Sequence, residues 1–167
     1  MLSMSTAVEK TSLQEVVKNL NKEIKKIEGR SLKGIIKGVI IIRRDMDKTS
    51  PLIPVHYGNL RQSWFVVTSK GGTPQGESPN FKGKKAGKMA SEHSAIKTIA
   101  AQKAQIKSQK GPVVVFGFSA NYALKVHEMY GVSFRRPSAG AGFFVSSIKK
   151  NKEKVLNAIK KNAKVKK

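Results

Sequence analysis

Ser50-Pro51-Leu52-Ile53-Pro54-Val55-His56-Tyr57-Gly58-Asn59-Leu60-Arg61-Gln62-Ser63-Trp64 divides the chain into two kinds of pattern. Two prolines followed by Gly58-Asn59 stop a helix and turn the backbone. Upstream the apolar residues recur at helical spacing; downstream come β-branched and aromatic runs. The stretch ends on the chain's one tryptophan, a residue large enough to anchor a core. On the plain reading its Pro and Gly set the dihedrals of a helix-to-strand connection. A second reading, as a sequence signature, depends on the rest of the chain.

Upstream, residues 12 to 28 read as an amphipathic helix. Ser12 and Glu15 make a capping box. Leu13, Val16, Val17, Leu20, Ile24 and Ile27 fall on one face, and Lys18, Lys22, Lys25 and Lys26 on the other. Gly29 breaks the pattern and Ser31 is placed to cap a second helix, with Leu32, Ile35, Ile36, Val39 and Ile40 on one face and an end near Asp47. Four successive β-branched residues at 39 to 42 also suit a strand. The unbroken spacing from Leu32 to Met46 favours helix.

Downstream, Leu60 to Thr68 reads as a strand entered through a helical turn at Asn59 to Ser63, and Pro112 to Phe118 as a second strand. The two are expected to pair antiparallel, with 70 to 111 as a basic, flexible insertion between them. That insertion holds nine Lys against two Glu; its first part, 70 to 87, is loop by composition and 88 to 109 is helix-prone. Asn121 to Met129 suits a short helix and Phe134 to Gly142 a loop. Phe143, Phe144, Ile148, Val155, Ile159 and Ala163 mark the apolar side of a closing helix, 143 to 163. The expected fold is α+β in one domain, 1 to 167: N-terminal helices, a small antiparallel sheet, and a long C-terminal helix packed on it.

The charge is lopsided, 33 Lys and Arg against 10 Asp and Glu, a net +23. Such a field attracts anionic polymers, anionic membranes or acidic proteins. Lysine dominates and is spread over helix faces without aromatic stacking partners, which suits sequence-independent phosphate attraction and not base readout. No cysteine is present, so disulfides, thiolate metal sites and cysteine nucleophiles are excluded. Met1 to Ala7 lacks a basic start before an apolar core, and the longest apolar run, 38 to 42, is far too short to span a bilayer. A soluble protein without membrane contact is expected.

Little in the chain points to catalysis. His56, His93 and His127 lie on unrelated segments in no metal-binding spacing. No phosphate-binding glycine motif or nucleophile elbow occurs, so no cofactor is expected. Glu128 is the one carboxylate in an apolar context, and a hydrolase around His127 and Glu128 is the remote alternative.

Three segments in order resemble the head–tail joining (neck, or tail-completion) proteins of tailed bacteriophages. Pro54-Val55-His56-Tyr57-Gly58-Asn59-Leu60-Arg61-Gln62-Ser63-Trp64 is similar to the family's Pro-Val-Asp-Thr-Gly-x-Leu-Arg-x-Ser-Trp turn, with His56 and Tyr57 where Asp and Thr are usual. Asn121-Tyr122-Ala123-Leu124-Lys125-Val126-His127-Glu128-Met129-Tyr130-Gly131 resembles its Tyr-Ala-x-x-Val-(His)-Glu-x-Gly segment, and Phe143-Phe144-Val145-Ser146-Ser147-Ile148 the lead-in to its closing helix. The 70 to 111 insertion exceeds the family's usual hairpin. The resemblance implies no catalysis. It implies a virion ring of six or twelve copies between the portal-side connector and the tail-terminator or tail-tube proteins, with packaged DNA in its lumen. Assembly would take place in the host cytoplasm. Pro54 and Gly58 would then fix the turn that leads through Leu60, Trp64 and Tyr122 would fill the core beside Ala123, Glu128 before Gly131 would hold a backbone or arginine partner, and Arg61, Arg135 and Arg136 are the candidates for subunit contacts. Lys82, Lys84, Lys85 and Lys88 are the candidates to face DNA in the lumen. The competing expectation is a basic, sequence-independent nucleic-acid-binding protein without an assembly role.

Overall fold

A computed structural model describes residues 3–68, 83–93 and 111–164. Its elements in chain order are α1 (Ser3–Lys48), α2 (Asn59–Gln62), β1 (Trp64–Thr68), α3 (Ala86–Ser91), β2 (Val114–Phe118), α4 (Ala123–His127) and α5 (Phe143–Ala163). The architecture is α+β, as the sequence predicts. The loop expected over 70 to 87 and the helix-prone 88 to 109 are described only at 83–93; the remainder, Lys82 included, lies outside the described residues.

The largest departure is α1, which is one helix of 46 residues where two are expected. Gly29 does not interrupt it, because a glycine within a helix costs only about 1 kcal/mol relative to alanine. Ser12 and Glu15 therefore lie inside a helix that has already begun, and no terminus is there to cap. The β-branched run at 39 to 42 stays helical too, because Val39 and Ile42 are buried in the main core.

β1 and β2 pair antiparallel, with Trp64 opposite Phe118, Val66 opposite Phe116 and Thr68 opposite Val114. Alternation along the strands sorts their side chains into two clusters. Trp64, Val66, Phe116 and Phe118 meet α1 and α5, where Trp64 stands 5.2 Å from Phe118 and Phe118 stands 5.8 Å from Phe143, ring to ring. Phe65 and Val67 turn the other way, onto Val113 and Val115.

α5 runs antiparallel along the C-terminal half of α1. Two glycines of α1 set the distance between them: a Cβ on Gly34 would stand 2.8 Å from the Ile159 Cα, and one on Gly38 2.6 Å from a Val155 methyl. The fully buried positions of α5 are Phe143, Ser147 and Asn151, and of the expected apolar side Phe144 and Val155 also pack, partly buried, against the core. Ile148 is 37% exposed. Close approach favours small and hydrogen-bonding groups at the contact: Ser147 Oγ donates to the Ile42 carbonyl at 2.9 Å and Asn151 Nδ2 to the Ser147 carbonyl at 3.0 Å. Burial opposes ionisation of Asp45 on the facing side of α1, but Thr49, Ser147 and Asn151 outweigh it and hold the carboxyl below its ordinary value.

Candidate functional site

The proline-rich stretch closes on the end of α1 through a single carboxylate. Asp47 pairs with Arg43 at 2.7 Å and Arg61 at 2.9 Å, with Arg136 at 3.7 Å. Arg136 also donates to the carbonyls of Ile53 at 3.0 Å and Asp47 at 2.9 Å, and Arg43 reaches the Arg61 carbonyl at 3.2 Å. An acid in the last turn of a helix opposes the helix dipole, and here three guanidiniums compensate it. Two of the three expected subunit-contact arginines, Arg61 and Arg136, thus have partners inside the chain; Arg135 is exposed.

Beyond that clamp lies a cleft of about 430 Å³. Pro54, Leu60, Val126, Met129 and Phe134 supply apolar walls, and Lys85, Lys88 and Arg135 supply cations. Pro54 is buried, and Gly58 takes φ +83 just before α2, a left-handed conformation that glycine adopts without a Cβ penalty. This turn swings Tyr57 outward to where the Lys85 ammonium sits 3.5 Å from its ring centroid. Lys85, by hydrogen bond and charge, and then Arg135 and Lys88 hold the Tyr57 hydroxyl below its ordinary pKa. An apolar cleft with a cationic rim suits a ligand that is both apolar and acidic.

One end of the cleft carries a polar network that no sequence pattern announces. Asn59 Nδ2 donates to Glu92, and its Oδ1 lies 2.5 Å from His93 Nε2. His93 Nδ1 is 3.1 Å from Ser119 Oγ, and the Asn121 N–H donates to the Glu92 carbonyl at 3.1 Å. Tyr122 joins them; burial first, then the charge of Glu92, raises its phenol pKa. Residues 59, 119 and 122 meet because β1 and β2 pair, and a bridge between His93 and Ala120 adds 92 and 93, so spacing along the chain carries no signal of the cluster. Ser119 beside a histidine invites comparison with a nucleophile and its base. Yet Ser119 is only 5% exposed and its hydroxyl donates to the Ser63 carbonyl at 3.1 Å, which fits a brace between strands.

The remaining predicted residues are spread out. Trp64 is buried and Tyr122 and Ala123 are half-buried against the main core. Glu128 is exposed at the end of α4, so the partner expected for its carboxylate gives way to solvent; Gly131 is exposed at φ +77. His127 packs edge-on against Phe143 at 5.1 Å, away from any open cleft wall. Lys84, Lys85 and Lys88 are exposed around α3. Among the described residues no group of three or more His, Cys, Asp or Glu is placed to hold a metal ion, and no helix is long and apolar enough to cross a membrane.

Burial lowers the pKa of both His93 and His127 below 6.5, partly offset by Glu92 and Glu128 respectively. The folded chain therefore takes up fewer protons than the unfolded one as pH falls, so stability is complete above about pH 6.5 and declines below it. His127→Phe, which keeps a ring in the aromatic cluster, is expected to flatten part of the Tm loss between about pH 7 and pH 5. Identical pH profiles for the two proteins would refute that assignment.

The other conspicuous surface is the N-terminal part of α1. Val16, Val17, Leu20, Ile24 and Ile27 form the expected stripe, but nothing among the described residues covers it, and they are 40–61% exposed. The cause is length. Gly34 faces Ile159 and Lys37 hydrogen-bonds Asn162 at 2.9 Å, so α5 ends alongside that turn while α1 continues outward. Burying the five half-exposed side chains against a partner would contribute about 5 kcal/mol. Compared with known proteins, the chain matches no family model, no curated protein and no solved structure.

Proposed function

We propose that the chain is a structural virion protein of the phage neck, a subunit of a ring that joins the portal or connector to the tail and surrounds the DNA channel. The observation that carries an assembly role is the uncovered apolar stripe of α1. A helix that leaves its apolar face in water for three turns requires a partner surface. The three motif segments in order supply the neck assignment, and the charge of +23 suits a wall lying beside packaged DNA. In this reading the ring has six or twelve copies, connector and tail-terminator or tail-tube proteins contact its two ends, and Lys84, Lys85 and Lys88 stand near phosphates with Lys82. The cleft residues Pro54, Leu60 and Tyr122 keep structural roles, and no reaction is assigned to them.

The lysine-covered outside of α5, with Lys149, Lys152, Lys154 and Lys160 exposed, also favours a second reading as a sequence-independent nucleic-acid-binding protein. Native mass spectrometry, with and without duplex DNA at moderate salt, separates the two. A discrete six- or twelve-membered species is expected. A persistent monomer that binds duplex tightly, with affinity falling steeply as salt rises, would replace the neck assignment with the alternative.

A further inference from the structure

We infer that the projecting stripe of α1 in one copy lies on the outward face of α5 in the next copy, so that subunits join head to tail. The inference rests on the reading of the chain as an assembly subunit and names the surfaces that would join it. Among the described residues two helices carry uncovered apolar rows: Val16, Val17, Leu20, Ile24 and Ile27 on α1, and Val145, Ile148 and Leu156 on α5. Each spans eleven residue steps, about 16 Å of helix.

They cannot meet within one molecule. α1 is a single continuous helix, about 69 Å long, and its free part lies beyond the end of α5. The row on α5 points away from α1, since Phe143, Ser147 and Asn151 occupy the side that α1 covers. A straight helix cannot reach around its neighbour to cover that far side.

Charge decides what occupies the stripe. On α1 the lysines lie on the back of the helix, with Lys26 pairing with Glu23 at 2.5 Å in an exposed contact, while Glu23 and Glu28 border the apolar row on either side. Val17 and Ile24 take the a positions of a heptad and Leu20 and Ile27 the d positions. Two stripes paired in parallel would set Glu23 against Glu28 of the partner, twice. The antiparallel register that buries all four apolar residues sets Glu23 against Glu23. Like charges so placed oppose both symmetric pairings. The row on α5 is instead flanked by Lys149 and Lys160 and carries Lys152 within it, all exposed, which the two glutamates complement. Because donor and acceptor surfaces differ, the contact is heterologous, and such contacts close into a ring when the rotation permits.

The absence of cysteine makes the test direct. Full-length chains carrying Leu20→Cys and Lys152→Cys, each at the centre of its row and exposed, are purified separately, checked for wild-type circular dichroism, and oxidised mildly alone and mixed. A cross-linked dimer is expected only in the mixture, whichever way the helices run. A chain carrying both substitutions is expected to give a ladder of multimers. Adding Glu23→Lys and Glu28→Lys to the Leu20→Cys chain is expected to slow cross-linking about tenfold. Cross-linking of the Leu20→Cys chain with itself, as fast as in the mixture, would overturn the inference in favour of a symmetric pair. No cross-link in a protein that native mass spectrometry finds as a ring would overturn this contact and leave the ring standing. A protein that is monomeric in both measurements would overturn both.

Discussion

Asp47→Ala is expected to lower the stability of the fold by about 3 kcal/mol, or roughly 6–12 °C in Tm for a chain of this size. The carboxylate it removes is 21% exposed and serves Arg43, Arg61 and Arg136 together. Arg61 is half in solvent, so its share is small. Arg43 and Arg136 are the costly ones: both are largely covered, and without Asp47 they would repel each other at the end of α1. Arg136 would keep its bonds to the Ile53 and Asp47 carbonyls, which would hold its charge in place with no counterion. High salt should restore part of the loss, because it screens that repulsion. Chemical denaturation at two salt concentrations checks both statements. A loss below about 1 kcal/mol would mean that solvent already satisfies the three guanidiniums.

Gly34→Leu is expected to cost about 3 kcal/mol or more, and Gly34→Ala about 1–2 kcal/mol, even though alanine is the better helix former. What a new Cβ at Gly34 meets is backbone, the Ile159 Cα at 2.8 Å with the carbonyl oxygens of Ala158 and Ile159 at 3.2 Å. Backbone cannot rotate away, so the two helices must separate along their whole contact. Gly38 differs, since its Cβ would meet a methyl of Val155, and the side chain can shift at smaller cost. Gly38→Ala is therefore expected to be the milder change. Equal or greater stability of Gly34→Ala in thermal and urea denaturation would show that α1 and α5 are not held at this distance.

Much of the architecture is legible in the chain itself. The strand pair, the turn through Gly58, the short helix after Asn121 and both ends of α5 follow from local pattern, because β-branched runs, prolines and apolar spacing act over a few residues. Gly29 misleads for an equally physical reason. One glycine is a modest local cost, and whether a helix continues through it depends on what the helix packs against further on. The candidate surfaces were only partly readable. The stripe at 16 to 27 is plain in the sequence, but a sequence shows only that a face is apolar. Whether α5 reaches far enough to cover it is a matter of where two distant helices align.

What the sequence determines by itself is the strand pair, the closing helix, the charge of +23 and the amphipathic faces, since composition and neighbours within one or two turns decide each of them. Only the tertiary structure decides which faces are spent inside the molecule. It gives Arg61 and Arg136 to Asp47, brings Asn59, His93 and Ser119 together across the sheet, and uses Gly34 and Gly38 as a helix contact. Those pairings join residues up to about 125 positions apart, as Gly34 and Ile159 are, and a side chain's partner at that range is fixed by packing geometry that local pattern does not encode.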